Sequence, residues 1–317
     1  MKFFISVAAF LCAFCLVGCK THNPELSIQV LRTTELPGLP SGSGLAISGD
    51  SAYVIGDDAP FLYKIAVKEH TYRSIPLAGH DQALARIPKP VKPDYESLVL
   101  AEYQGRDVLM AFGSGSLSPF RDSMLVIDRH TGLVQNKISV STFYTALKKV
   151  AGFTDAGLNI EGALFSNGSL LLFNRGKNGL FTTSLDSFYN YLMNSSGDYT
   201  APVAYREYQL PALNGIPSGF SGATALPDGN ILFSASVENV QDAIGDGEVF
   251  GSYIGIIKPN KPGIFAIELL KDNGGNILKQ KLESIDLLAG EGGGTYKVLA
   301  VADNDDGRST LFELYIR

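Results

Sequence analysis

The chain has 317 residues, of which 18% are charged and 45% hydrophobic, and its net charge at pH 7 is −6. A surface that binds nucleic-acid polymers is basic, and this acidic balance excludes that class of partner. The three cysteines, Cys12, Cys15 and Cys19, lie close together near the N-terminus. This position excludes a disulfide framework and a cysteine metal site in the rest of the chain.

Residues 1–18 have the pattern of a signal peptide. Lys2 precedes an apolar run that ends in Leu16-Val17-Gly18-Cys19, an ending that resembles the lipobox of bacterial lipoproteins. The run is shorter than a membrane-spanning helix. The resemblance implies cleavage before Cys19 and acylation of its thiol and amine, with residues 19–26 as a tether. An ordinary secretory signal followed by a chance cysteine is the alternative.

The lipobox resemblance also predicts where the protein lies. We expect it at the bacterial cell envelope, where the lipid anchor is its only contact with the membrane. Lys20 directly after the cysteine is compatible with sorting to the outer membrane.

Five short segments repeat one pattern, and each carries Ser or Glu in the same column. The column residues follow one another at intervals of 53, 65, 60 and 62 residues, and they are Ser43, Glu96, Glu161, Ser221 and Glu283. Self-similarity with a period of this size indicates a repeat architecture. A closed ring of five repeats would bring the five side chains to one axis.

Each column residue precedes a predicted hairpin of two apolar strands joined by a glycine-containing turn, and Asp-Gly and Asn-Gly turns are strong hairpin signals. The predicted hairpins are residues 45–48 with 52–55, 98–100 with 108–112, 163–165 with 170–173, 223–226 with 231–233, and 285–288 with 297–301. Third strands are predicted at 61–67, 123–128, 180–185, 252–257 or 263–269, and 310–316. Fourth strands are predicted at 72–77, 133–140, 203–210 and 277–282.

The fifth repeat ends after its third strand, which leaves one position in its sheet open. Residues 27–36 are extended in pattern and can fill that position, and closing the ring in this way removes exposed sheet edges. We therefore predict an all-β fold, a single five-bladed β-propeller over residues 27–317 closed by an N-terminal strand. Short helices are predicted at 143–149 and 186–193. A β-sandwich with accidental spacing is the alternative.

The column residues suit a hard cation. Three carboxylates at one axis cannot all stay ionised without a counter-charge, because like charges raise each other's pKa. Calcium accepts many oxygen ligands at flexible geometry, so we expect Ca²⁺ as the cofactor, held by Ser43, Glu96, Glu161, Ser221 and Glu283. Without a metal, the same residues would cap strand starts and hydrogen-bond neighbouring blades.

A second polar column follows the second strand of each repeat and predicts the mouth of the ring. Its candidate substrate-binding residues are Asp58, Ser114, Asn174, Glu238 and Asp305. Asp57 and Asp303 are candidates for a base that activates water, and Arg175 is a candidate for a bidentate contact to phosphate. Solvated loop ends would also be polar, and residues 303–306 fit either a second cation site or a turn.

Basic residues lie in the loops that the fold places on the same face, and they are Arg86, Lys89, Lys92 and Arg121. Such residues would attract an anionic ligand toward an acidic mouth. The loop that carries the first three is also rich in proline, and a proline-stiffened loop without a role in binding explains it as well.

The order Ser, Glu, Glu, Ser, Glu at the blade starts resembles the soluble calcium-activated nucleotidase (apyrase) family. Further likeness lies in residues 53–58, which read Tyr-Val-Ile-Gly-Asp-Asp, and in Asn174-Arg175. The resemblance implies a five-bladed propeller whose column residues hold calcium in a central tunnel, with Asp57, Asp58 and Arg175 near a phosphate. The chain is also broadly similar to phytase-like propeller lipoproteins of bacteria, which implies calcium-assisted attack on a phosphoester.

These observations predict a monomeric, envelope-anchored, calcium-binding propeller that hydrolyses a small anionic phosphoester or nucleotide. The alternative is a non-catalytic propeller that binds a ligand or partner and holds calcium for structure alone. A propeller fold by itself fixes no function.

Overall fold

A computed structural model describes residues 26–154, 157–194, 197–239, 247–259 and 261–317. The predicted signal peptide, Cys19 and all of the predicted tether except Leu26 lie outside these ranges. Within the described ranges, no helix has the length and apolar character needed to cross a membrane.

The described chain forms five antiparallel sheets around a common axis, preceded by β1 (Ile28–Pro37). Blade 1 contains β2 (Gly42–Ser48), β3 (Ser51–Gly56), β4 (Phe61–Ala66) and β5 (Tyr72–Pro76). Blade 2 contains β6 (Tyr95–Tyr103), β7 (Arg106–Gly113), β8 (Ser123–Asp128) and β9 (Val134–Ser139). Helix α1 (Ser141–Ala151) leads to blade 3, which contains β10 (Ile160–Ser166), β11 (Ser169–Asn174), β12 (Gly179–Ser184), helix α2 (Leu185–Met193) and β13 (Val203–Glu207).

Blade 4 begins with a short extra strand and has five strands, which are β14 (Ala212–Leu213), β15 (Ile216–Ala225), β16 (Ile231–Asn239), β17 (Glu248–Ile257) and β18 (Ile264–Leu269). Blade 5 contains β19 (Lys281–Gly292), β20 (Thr295–Asp303) and β21 (Arg308–Ile316). Strand β1 pairs antiparallel with β21, from Ile28 opposite Ile316 to Pro37 opposite Arg308. The prediction of a five-bladed propeller closed by an N-terminal strand is therefore confirmed.

The predicted strand at 277–282 was wrong. Strand β18 pairs with β17 and takes the outer position of blade 4, so both segments that the sequence offered as the third strand belong to this sheet. Ile277 forms only an isolated bridge with Lys271, and residues 281–282 already belong to β19. Gly263, at φ +78°, lies in the turn that lets the chain reverse between β17 and β18.

The core is divided among the five interfaces between neighbouring blades. Each interface holds one cluster of buried apolar side chains, and the largest, between blades 2 and 3, also takes Phe143 from α1 and Phe188 from α2. The other four clusters fill the remaining interfaces in the same way. Because apolar burial is the main favourable term in folding, packing between blades fixes the positions of the innermost strands around the axis.

Candidate functional site

All five column residues lie at a β-bulge in the innermost long strand of a blade. In each blade the pairing register shifts across the column residue, which is left without a partner on the next strand. A bulge inserts one extra residue into a strand and re-aims its side chain. In a regular strand, successive side chains point to opposite faces of the sheet. Each bulge interrupts this alternation at the column residue and changes the direction of its side chain.

Small residues follow every column residue, and they are Gly44, Ser97, Gly162, Gly222 and Ser284. A Cβ at Gly44 would lie 2.7 Å from the Leu98 backbone nitrogen, and a Cβ at Gly222 would lie 2.6 Å from the Ser284 Cα. These distances are too short for any side chain, so the innermost strands approach each other closely just below the column.

Above the column lies a cavity of about 420 Å³. Ser43, Glu96, Glu161 and Glu283 of the column line this cavity. Ser221 is fully buried and is not among the lining residues, and its hydroxyl donates to Ser234 Oγ at 3.1 Å. The structure thus brings four of the five predicted calcium ligands to one cavity.

The described lining carries eight carboxylates and six cationic side chains, so two negative charges remain if all groups are ionised. The acids are Asp57, Asp94, Glu96, Glu161, Glu238, Glu283, Asp303 and Asp305. The cationic residues are Arg86, Lys89, Lys92, Arg121, Arg175 and Lys281. Asp58 adds a further negative charge just outside, where Arg86 contacts it at 2.7 Å.

On the side of blades 1 and 2, Lys92 joins two carboxylates. Its ammonium contacts Asp57 Oδ2 and lies 2.6 Å from Asp94 Oδ1. Arg121 Nη1 donates to Asp94 Oδ2 at 2.8 Å. Burial alone would raise the pKa of Asp94, but Lys92 and Arg121 bring it below its ordinary value. Asp94 therefore stays ionised, and it does so at a strained φ of +56°, a type of strain that clusters at functional sites.

On the side of blades 3 to 5, Arg175 and Lys281 neutralise a second set of acids. Arg175 Nη2 lies 3.3 Å from Glu238 Oε2, and its Nη1 lies 3.8 Å from Glu161 Oε2. Lys281 Nζ lies 3.0 Å from Glu283 Oε1 and 3.6 Å from Glu238 Oε2. Much of the counter-charge that the column needs is therefore supplied by the protein itself.

Three acids of the cavity nevertheless have a raised pKa. Burial raises the pKa of Glu161 to about 8, with Glu283 and Asp94 adding to the effect against Arg175 and Lys281. Burial and the nearby Asp305 and Glu283 raise the pKa of Asp303 to about 8. The pKa of Glu96 is also raised well above its ordinary value by burial and by Asp94, Glu161 and Asp57. Additional positive charge would therefore favour the ionised cavity.

Three predicted substrate-binding residues do not line the cavity, because their polar groups are used inside the protein. Asp58 accepts from Ser41 Oγ at 2.6 Å and from Arg86 Nε at 2.7 Å. Ser114 donates to Asp94 Oδ2. Asn174 accepts from the Asn159 backbone N–H at 2.6 Å and donates to the Gly157 carbonyl at 3.2 Å. These side chains hold cavity residues and loops in place.

The sequence reasoning missed Asp94, Asn159 and Lys281, and a simple signal would have found them. Each lies two residues before a column glutamate, namely Glu96, Glu161 and Glu283, and each lines the cavity. Asn159 Nδ2 donates to Glu161 Oε1 at 2.6 Å. A polar residue two positions before each column glutamate is a repeated pattern of the sequence, so this position was available as a prediction.

The donor set of the cavity fits a hard cation. Oxygen ligands from Asp57, Asp94 and Glu96 lie within 4.8 Å of one another. Among the described residues, Asp57 Oδ1 and Glu283 Oε2 are buried without a hydrogen-bond partner. Carboxylate oxygens are the ligands that calcium prefers, and an unpaired buried carboxylate oxygen is costly unless a ligand satisfies it.

Comparison with known structures shows the fold alone. Glutaminyl cyclase from Myxococcus xanthus has a TM-score of 0.50 and 10% identity, over 91% of this chain and 96% of that chain. The PQQ-bound aldose sugar dehydrogenase from Streptomyces coelicolor has a TM-score of 0.42 and 13% identity, over 92% of this chain and 99% of that chain. Both similar structures are enzymes by name.

Comparison of sequences gives one result. A search of curated proteins found no match. Residues 38–316 match a protein family described as "Family of unknown function (DUF6929)". The description of the matching family names neither an apyrase nor a phytase. The five-bladed fold implied by the earlier resemblance is shown, and its chemistry stays a proposal.

Proposed function

Because this chain belongs to the family of unknown function DUF6929, its activity must be inferred from its own residues, and we propose a calcium-dependent hydrolase of a small phosphoester or nucleotide. The observation that carries the proposal is the excess of two carboxylates over cationic groups in one axial cavity. A single divalent cation balances that excess. Glu96, Glu161 and Glu283 would hold it, with Ser43 beside them.

The lining divides into residues that hold the metal and residues that meet the substrate. Arg86 and Lys89 lie toward the mouth, in the proline-rich loop before β6, and attract an anionic substrate. Bound calcium would supply electrophilic assistance to a phosphoryl oxygen. Arg175, deeper in the cavity, offsets negative charge that develops there.

Asp303 is the better general base of the two predicted acids. A base works best when its pKa lies near the working pH, and the pKa of Asp303 is raised to about 8. Its Oδ1 accepts the Asp305 backbone N–H at 3.0 Å, which orients the carboxylate. Asp57 is instead held by Lys92, so its role is to position that ammonium.

The same proposal places the propeller at the bacterial envelope as a monomer tethered through acylated Cys19. The support for this part is the lipobox resemblance in the sequence. Metabolic labelling with a radioactive fatty acid, with Cys19→Ala as the unlabelled control, tests it. An unlabelled wild-type chain would exclude the anchor.

The activity itself is tested with a panel of phosphate esters and nucleotides, assayed with calcium and with excess chelator. We expect phosphate release that chelation abolishes and that Glu161→Gln lowers by at least about 100-fold, a loss typical of removing one electrostatic stabiliser. Glu268→Gln, an exposed carboxylate on β18, is the matched control and should retain full activity. A calcium-loaded protein that releases no phosphate from any member of the panel would refute the hydrolase.

A second candidate is a non-catalytic propeller that binds a small ligand, and one observation favours it. Lys92 and Lys281 already lie among the acids of the cavity, so much of the charge is balanced without a metal. This candidate predicts that a bound ligand raises the melting temperature while the ligand is recovered unchanged.

A further inference from the structure

One group of acids in the axial cavity has the spacing of a cation site among the described residues, and a lysine side chain lies within it. On the side of blades 1 and 2, oxygen ligands from Asp57, Asp94 and Glu96 lie within 4.8 Å of one another. The ammonium of Lys92 lies between the first two of these acids. The lysine side chain is only 12% exposed, so it belongs to the interior of the site.

The ammonium is fixed as a cation. Burial alone would lower the pKa of Lys92, but Asp57, Asp94 and Glu96 raise it above its ordinary value. The lysine lies between Val91 and Pro93 in the loop before β6. Asp94 and the bulge at Glu96 follow within four residues of it. Its position is therefore set by the same segment that sets two of the three acids.

A single ammonium satisfies this position only in part. Asp57 Oδ1 stays buried without a hydrogen-bond partner among the described residues, although Oδ2 of the same carboxylate contacts Lys92. A calcium ion coordinates more oxygens than an ammonium can and tolerates irregular geometry. The unsatisfied oxygen thus marks a place where a cation with more coordination sites fits the same acids.

We propose that Lys92 is an internal cation that takes the place of a metal ion at Asp57, Asp94 and Glu96. It thereby limits the cavity to the one calcium ion proposed above, held by Glu161, Glu283 and Glu96, and Glu96 also belongs to the acid group around Lys92. This inference rests on that proposed calcium site. It makes Lys92 a residue that determines the number of bound metal ions.

The test is the amount of calcium bound per chain, measured by equilibrium dialysis with the metal alone. Lys92→Met keeps the apolar stem but removes the charge, and we expect it to bind one calcium ion more than the wild type. Adding Asp94→Asn to this variant should remove the additional ion. Lys92→Arg keeps the charge and should bind the wild-type number, as should Lys89→Met, which changes another lysine of the same loop.

Failure of this inference and failure of the proposed function give different results. If the wild type binds no calcium and Lys92→Met binds one ion, Lys92 has the proposed role and the calcium-dependent function fails. If folded Lys92→Met binds the wild-type number, the inference is overturned. Should Lys92→Met not fold, Lys92→Gln decides in the same way, since its amide can still donate to Asp57 and Asp94.

Discussion

At the scale of single residues, the cavity is built from pairs of positions two residues apart. Asp94 and Glu96, Asn159 and Glu161, and Lys281 and Glu283 each place two polar groups into the same space. The first residue of each pair has a charged or hydrogen-bonded partner in the cavity. Asp94 pairs with Lys92, Lys281 pairs with Glu283, and Asn159 donates to Glu161 at 2.6 Å. Buried charges are tolerated only when they are paired or hydrogen-bonded, as Asp94 is by Lys92 and Arg121.

The raised pKa of Glu161 predicts how stability depends on pH in the metal-free protein. Its pKa is about 8 in the folded chain and near its ordinary value of 4.5 when unfolded. Between these values the folded state holds a proton that the unfolded state has lost, so the free energy of unfolding falls as pH rises through this window. The contribution is at most about 1.4 kcal/mol per pH unit.

Urea unfolding in chelator, at pH values below, within and above this window, measures the effect. Glu161→Gln has no group to titrate, so its free energy of unfolding should decline less steeply. Equal slopes for the two proteins would show that Glu161 titrates at its ordinary pKa.

At the scale of elements, the innermost strand of each blade combines a bulge with a small residue. The bulge turns the column side chain toward the axis, and the small residue after it lets the neighbouring strand approach. Both features are needed to bring five strands to one axis, because the backbones of neighbouring strands must come close together there. Gly222, whose added Cβ would lie 2.6 Å from the Ser284 Cα, is the tightest of these contacts.

Gly222→Ala should therefore destabilise the protein by about 1–3 kcal/mol, the usual cost of overpacking. The affected atoms are backbone atoms of β19, which cannot rotate away as a side chain would. Chemical denaturation measures the loss. Gly197→Ala is the control, because nothing lies within 4 Å of its added Cβ, and its stability should change little. A Gly222→Ala variant as stable as the wild type would contradict the close approach of the strands.

At the scale of the whole molecule, the ring gives its axis two different ends. The column end opens into the charged cavity described above. The other end forms a cavity of about 270 Å³. Its lining is mainly apolar and comes from the innermost long strands of all five blades, β2, β6, β10, β15 and β19. Strand β1 pairs with β21 and completes blade 5 as a four-stranded sheet, so the N-terminal and C-terminal segments of the described chain close the ring together.

Calcium should stabilise the whole ring if the column residues of four blades, Ser43, Glu96, Glu161 and Glu283, contribute to one site. At a free concentration of 100 times the dissociation constant, a single bound ion adds about 2.7 kcal/mol to the free energy of unfolding. For a domain of this size we expect the melting temperature to rise by roughly 4–5 °C. Calorimetry of chelated and calcium-loaded protein measures the shift.

The control for this prediction removes two predicted ligands from different blades. Glu161→Gln with Glu283→Gln should lose the response to calcium, whereas Glu268→Gln on the outer surface should retain it. A wild-type melting temperature that is indifferent to calcium would argue that Lys92, Arg175 and Lys281 alone neutralise the cavity.

The sequence by itself determined the architecture, because repetition and turn chemistry are local. The column spacing, the Asp-Gly and Asn-Gly turns and the unpaired N-terminal strand were enough to predict five blades and their closure. In blade 4, two apolar segments were predicted for one strand position. Both are strands, and only the pairing of β18 with β17 showed this.

The content of the site was decided by the tertiary structure. Which acid meets which cation depends on side chains from different blades, such as Lys92 with Asp57 and Arg175 with Glu238, and no spacing in the chain predicts these pairs. Ser221 shares the column and the bulge but hydrogen-bonds Ser234 away from the cavity. The sequence thus determined the ring and the position of its axis. The charges that meet there depend on distances across the ring, which exist only once the chain has closed.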